Sequence, residues 1–369
     1  MRPLFPIVFV LMTGCGDDTL VDTDDPADFD PVVDPIDVVD IPTGRLFPYV
    51  CAVRSWPDVV PPAKDADLAV VPMNEGAAVL AISRQGGPLF GFRVDGRGLI
   101  MGDATGAKVR MDADFTAVTG TFIDSRLVVG LVRDGKVAVT VLRDDLLDFR
   151  EVGVIDSSFV GEIPMMHVRG ERIAMTGGAT GMVKSGFNRS WAPTTSEQVA
   201  DSVPTEMAGA VYGDDAMIAW SNDDGCHLQR VASKIESSRS IRCSNPRLAV
   251  NYARRNGVMA FEDGENVWVS DILVSSHNEI SNQMHLQDAA RAPRVAFDGA
   301  RFWVSYLNSH GDVTVGILDS HHELMALAID GTKPGDKGYE LAVIGGAVWV
   351  FSIDDSGYQA HRLCLASEY

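Results

Sequence analysis

Arg294 to Leu318 reads RVAFDGARFWVSYLNSHGDVTVGIL, and it holds three short apolar runs: Val295 to Phe297, Phe302 to Tyr306 and Val313 to Leu318. Asp298-Gly299 separates the first two, and Asn308 to Asp312 separates the last two. Apolar and β-branched runs divided by such turn formers are the pattern of β-strands joined by tight hairpins.

The same unit recurs along the chain. When each middle run is aligned on one large residue, a column appears: Ile82, Leu131, Met175, Trp220, Phe261, Tyr306 and Phe351, at separations of 49, 44, 45, 41, 45 and 45. Two positions earlier stand Leu80, Val129, Ile173, Ile218, Met259, Val304 and Trp349. Between the two columns lie Ala81, Gly130, Ala174, Ala219, Ala260, Ser305 and Val350, nearly all small. Successive residues of a strand point to opposite faces. One face therefore supplies bulk and the other admits a neighbour at close range, which is what a sheet stacked between two similar sheets requires.

Further signals keep this register. Short apolar runs precede each middle strand, such as Leu68 to Val71, Leu248 to Val250 and Leu341 to Ile344, with Met165 to Val168 the least regular. Turn glycines follow at Gly86, Gly135, Gly178, Gly225, Gly264, Gly311 and Gly357. Helical periodicity is short and confined to Ser196 to Val203 and Asn278 to Ala290, between units, where loops are expected. A period of about 45 residues with four strands per unit describes a propeller blade. The fold expected over 45–369 is all-β, a β-propeller of seven four-stranded blades. A β-helix or long sandwich is the alternative, with repeats that are shorter or less regular.

In architecture the chain is similar to exported bacterial proteins built of degenerate propeller repeats, WD40-like without the G-H…W-D pairing. Ser221-Asn222-Asp223-Asp224-Gly225 resembles the first half of the Asp-box turn of sialidase-type propellers, but no Thr-Trp follows, and plain hairpin chemistry accounts for it.

The N-terminus carries a different signal. MRPLFPIVFVLMTGC has Arg2 as a basic region, an apolar run from Leu4 to Met12, and then Thr13-Gly14-Cys15. Nine apolar residues are too few to span a bilayer as a helix, so the segment reads as an export signal over 1–14. It resembles a bacterial lipoprotein signal, with Met12 where leucine is more usual. That resemblance implies that Cys15 becomes the first mature residue and is diacylated, and two acyl chains give a stable anchor. Gly16 in place of aspartate favours the outer membrane over the inner. An ordinary secretory signal with a chance cysteine, or a cytosolic protein with an apolar N-terminus, are the competing readings.

Residues 15–44 then form a tether. Gly16 to Gly44 has ten Asp, no Lys, Arg or Glu, and four prolines. It cannot bury enough apolar surface to offset its chain entropy, so an extended, disordered segment is expected, spanning at most about 95 Å at roughly 3.3 Å per residue. Calcium binding is a weaker reading, because no D-x-[DN]-x-[DN]-G loop occurs. The chain has 51 Asp and Glu against 31 Lys and Arg, a net charge of −20, and this argues against nucleic acid or an anionic membrane surface as partner.

A propeller has to close its ring. After Leu341 to Ile344, Ala347 to Ser352 and Gly357 to Leu365, the last unit lacks a fourth strand, and Arg45 to Val53 has the alternation to complete that blade. Apart from Cys15 there are four cysteines, and disulfides persist in exported proteins. Cys226 and Cys243 fall in the third and fourth strands of one unit, while Cys51 and Cys364 fall in the two strands that meet at closure. The expected bonds are therefore Cys226–Cys243 and Cys51–Cys364. No C-x-x-C spacing favours a metal site instead.

Catalytic signatures are absent or broken. His322-Glu323 begins a zinc-protease motif, but Ala326 stands where the second histidine belongs. Gly96, Gly98 and Gly102 miss dinucleotide spacing by one residue, and no G-x-S-x-G occurs. His310, His321 and His322 cluster in loops, read as exposed histidines rather than a weak metal site. Asp214, Asp215, Asp223, Asp224, Asp263, Asp298, Asp354 and Asp355 lie at hairpin turns; most read as turn formers, although propeller glycosidases draw paired carboxylates from different blades.

No metal, cofactor or catalytic residue is expected. The sequence points to a monomeric, lipid-anchored propeller of the bacterial cell envelope, binding or scaffolding an extracytoplasmic protein or glycan. A hydrolase or lyase acting on extracellular polysaccharide, or a purely structural envelope protein, are the alternatives.

Overall fold

The computed structural model describes residues 46–59, 61–63, 65–102, 114–142, 149–157, 162–231, 235–239, 242–274, 279–318 and 324–367. The signal segment with Cys15, the acidic tether and the pair His321-His322 lie outside the described residues.

Seven antiparallel four-stranded sheets follow one another around the chain. Strand β1 is Leu46–Trp56. Blade 1 holds β2 (Ala66–Met73), β3 (Gly76–Ser83), β4 (Phe90–Val94) and β5 (Ile100–Met101); blade 2 holds β6 (Ala117–Ile123), β7 (Arg126–Arg133), β8 (Lys136–Leu142) and β9 (Phe149–Asp156). Blade 3 holds β10 (Met165–Val168), β11 (Glu171–Gly177), β12 (Met182–Phe187) and β13 (Pro193–Ala200); blade 4 holds β14 (Glu206–Tyr212), β15 (Asp215–Asn222), β16 (Gly225–Arg230) and β17 (Ile235–Arg239). Blade 5 holds β18 (Ser244–Asn251), β19 (Asn256–Asp263), β20 (Asn266–Leu273) and β21 (Glu279–Gln287); blade 6 holds β22 (Arg291–Phe297), β23 (Phe302–Leu307), β24 (Val313–Leu318) and β25 (Leu324–Ile329). Blade 7 is completed by both ends of the fold: β26 (Tyr339–Ile344), β27 (Ala347–Asp354), β28 (Gly357–Ser367) and β1, in that order.

The ring closes. The first strand of each blade touches the first strands of both neighbours, and β26 meets β2 to finish the circle. At that junction Leu68 N donates to Lys337 O at 2.9 Å. The strand registered on Leu46↔Ser367 and Trp56↔Tyr358 supplies the fourth strand that blade 7 lacks.

Burial follows the columns. Ile82, Leu131, Met175, Trp220, Phe261, Tyr306 and Phe351 are all buried in second strands, as are the seven apolar residues two positions before them. Apolar clusters straddle neighbouring blades; one joins Leu80 and Ile82 of blade 1 to Val129 and Leu131 of blade 2. The small column accounts for the close approach. A Cβ on Gly130 would sit a tight 3.0 Å from Thr119 Cγ2 of its own blade and in van der Waals contact, at 3.5 Å, with Met165 Cε of the next blade.

Two expectations need correction. Ser196 to Val203 and Asn278 to Ala290 are not loops: β13 and β21 run through them as outermost strands. β13, outermost in its blade, has a sheet on one edge only and is mostly exposed, so it carries no apolar alternation to read. The second correction concerns Cys243. It pairs with Cys226, Cα atoms 5.4 Å apart, but it lies beyond the end of β17, in the crossing to β18. Cys226 stands opposite Arg239, the last residue of β17, so Cys243 lies close in sequence to its ladder partner. Cys51 and Cys364 pair as expected across β1 and β28, Cα atoms 5.7 Å apart.

Candidate functional site

The first strands line a central channel, and charge collects at the end where those strands begin. Asp67, Glu162, Arg247, Arg294, Lys337 and Glu340, contributed by five blades, surround a cavity of about 170 Å³ there, above a collar that includes Leu68, Val118, Leu248 and Val295.

Local sequence explains how the two arginines reach the channel. Asn245-Pro246-Arg247 and Ala292-Pro293-Arg294 open β18 and β22, and both strands slip register at that point, between Ser244 and Arg247 and between Arg291 and Arg294. Asn245 (φ 49°) and Ala292 (φ 54°) are left-handed. A bulge of this kind re-aims the next side chain, and proline is tolerated because the bulged residue is outside the ladder. Carboxylates hold each bulge: Glu206 accepts from Asn245 N, and Glu262 Oε1 accepts from Ala292 N at 2.6 Å and from Asn245 Nδ2 at 2.9 Å.

The six groups are not equally engaged. Arg294 donates through Nε to Glu340 Oε2 at 3.2 Å, through Nη1 to Pro293 O at 2.9 Å and through Nη2 to Asp336 O at 3.2 Å, and it lies 4.9 Å over the Tyr339 ring. The Tyr339 hydroxyl donates to Ala292 O. Asp67, 8% exposed, accepts from Val118 N at 3.0 Å, tying blade 1 to blade 2. Burial pushes the Asp67 and Glu340 carboxyls above the ordinary range; Lys337 opposes this at Asp67 and Arg294 opposes it at Glu340. Burial works to lower the Arg294 value, and the Glu340 carboxylate outweighs it, so the guanidinium is held above its ordinary value.

Arg247 is less satisfied. Its Nη1 donates to Pro246 O at 3.0 Å and lies 3.6 Å from Glu162 Oε2, while its buried Nε has no partner. Farther along the channel a hollow of about 460 Å³ is lined by blades 2 to 4, including Asp124 and His167. There His167 Nδ1 lies 3.2 Å from Asp124 Oδ1, and Arg172 pairs with the same carboxylate.

The hairpin aspartates behave as turn chemistry. Asp298 Oδ1 accepts from Ala300 N and Arg301 N at 2.7 Å, Asp354 Oδ1 accepts from Ser356 N at 2.7 Å, and buried Asp215 pairs with Arg230 at 3.3 Å. At the Asp-box-like turn, Asn222 Oδ1 accepts from Asp224 N at 2.9 Å. His310 is exposed in a turn of blade 6. None of these turn aspartates lines the channel cavities. Among the described residues, no three His, Cys, Asp or Glu are grouped to hold a metal ion. The charged channel end escaped the sequence reading, yet a trace was present: Pro-Arg heads two successive first strands, at 246–247 and 293–294.

A closed ring of seven four-stranded blades around a charged channel defines a seven-bladed β-propeller of WD40-like architecture. The WD40 domain of coronin from Toxoplasma gondii has the same fold: TM-score 0.57, 10% identity, 88% of this chain and 87% of that one covered. The Dos1 propeller aligns with a TM-score of 0.49 at 10% identity, over 81% of this chain and 84% of that one. No protein-family model matches the chain. No curated protein matches it.

Proposed function

We propose that this protein is a lipid-anchored propeller of the bacterial cell envelope, favouring the outer membrane, that binds or scaffolds an extracytoplasmic protein or glycan. Residues 1–14 are the export signal, Cys15 carries the lipid, and 15–44 are the tether.

The observation that carries the binding reading is the charged channel end, where Asp67, Glu162, Arg247, Arg294, Lys337 and Glu340 meet from five blades, with loops around it on a rigid scaffold. Engagement of the channel carboxylates by arginines or a backbone donor also favours binding over acid–base chemistry.

Expression of the full chain in a bacterium tests the anchor. Wild type is expected in the membrane fraction with a diacylated Cys15, and Cys15→Ala in the soluble fraction; equal partitioning sinks the anchor. Cross-linked pull-down from envelope extract is expected to retrieve one partner reproducibly. An empty pull-down together with cleavage of a glycan library moves the reading to a hydrolase or lyase.

A further inference from the structure

We propose that the charged end of the channel is a binding site for a small organic or inorganic anion bearing one carboxylate or phosphate group, gripped between Arg247 of blade 5 and Lys337 at the head of blade 7. This deepens the binding reading above and rests on it only in using the same face.

Arg294, Glu340 and Asp67 are tied into the scaffold by the bonds already described, and Arg294 has donors committed on Nε and on both terminal nitrogens. Two cations keep capacity. Arg247 is 12% exposed, only its Nη1 is engaged, by Pro246 O, and its Glu162 partner is 3.6 Å away and 44% exposed, which leaves Nη2 without a hydrogen bond among the described residues. Lys337 lines the same cavity, and among the described residues its ammonium has no hydrogen bond or ion pair. Half-buried cationic donors that are only partly engaged are costly, and an anion seated between them can bond to both.

Charge balance agrees. The six groups are formally neutral, three acids against three bases. Three cations gathered at one channel end of a chain of net charge −20 are not a by-product of composition. Size limits the guest. About 170 Å³ is below the usual 300–1,000 Å³ of drug-sized sites, so an anion of a few heavy atoms fits, its apolar part against Leu68, Val118, Leu248 and Val295.

The test is isothermal titration of the mature full-length chain with inorganic phosphate, acetate and lactate, with acetamide as the uncharged control. At least one anion is expected to bind and acetamide is not; the phosphate and carboxylate arms identify the head group. Lys337→Met and Arg247→Met are each expected to weaken binding about tenfold or more, the scale of one lost charge-assisted hydrogen bond, while exposed Lys333→Met leaves it unchanged. Circular dichroism and melting temperature confirm that the variants are folded. Silence toward all three anions overturns the site, as does binding that survives in folded Lys337→Met and Arg247→Met. A partner retrieved by a propeller silent to anions overturns this inference alone, and anion binding with an empty pull-down overturns the scaffold reading alone.

Discussion

Trp56 and Phe351 stack with ring planes 8° apart and centroids 6.2 Å apart, joining the first strand of the fold to the central strand of its last blade. Trp56 also meets Phe92 of blade 1 at 5.2 Å, and Phe92 meets Tyr358 edge-on at 5.1 Å. One side chain thus bridges the seam where β1 completes blade 7 and blade 7 abuts blade 1. Trp56→Ala is expected to cost about 3–5 kcal/mol, the range for emptying a large buried aromatic site. Denaturant titration measures it, and a loss below about 1 kcal/mol would show that the seam does not depend on this ring.

Cys51–Cys364 locks the same seam covalently, at a sequence separation of 313. Replacing both with serine is expected to cost about 2–5 kcal/mol, with the chain-entropy model placing long loops at the upper end. The Cys226–Cys243 double variant, which opens a separation of 17 residues, is expected to cost less. Non-reducing peptide mapping checks the pairing itself; free thiols, or Cys51 joined to Cys226, contradict it.

The repeat and the closing strand were legible because both are written in side-chain alternation: Ile82 through Phe351 sit in second strands packed on both faces, where the large and small columns have separate jobs. The outermost strand β13 was not, since Pro193–Ala200 packs on little and keeps no pattern. Nor was the channel end. Glu162 and Arg247 approach from blades 3 and 5, and Asp67 faces Lys337 across the closing junction of the ring. A period fixes which residues head the first strands but not which of them meet across the axis. Proline and arginine at 246–247 and 293–294 marked the bulges, while their carboxylate clamps Glu206 and Glu262 come from other strands.

Arg294 and Glu340 are expected to behave as a buried pair whose members are worth little together and much when separated. Arg294→Met strips Glu340 of its cation and leaves the carbonyls of Pro293 and Asp336 without their donor. A loss of about 3–5 kcal/mol is expected, much of it recovered in the double variant with Glu340→Leu, because the cost lies chiefly in an uncompensated charge. A double-mutant cycle in urea tests this; additive losses would show that the two side chains act independently.

His361 and Asp67 are expected to bend the pH dependence of stability in opposite directions. His361 is buried in β28 with an unpartnered Nδ1, and burial lowers its pKa below the ordinary 6.5, with Asp354 opposing. The unfolded chain therefore binds the proton first, so this contribution is complete above pH 6.5 and is lost as pH falls through the lowered folded value. Asp67 has a folded pKa raised above the ordinary 3.8, so its contribution is complete below that value and is lost as pH rises through the folded one. Each slope is limited to about 1.4 kcal/mol per pH unit. Urea titrations from pH 4 to 8 are expected to show His361→Gln losing less stability than wild type between pH 7 and 5. Asp67→Asn should lose less as pH rises from 4. Profiles that run parallel to wild type would mean that neither group changes its proton affinity on folding.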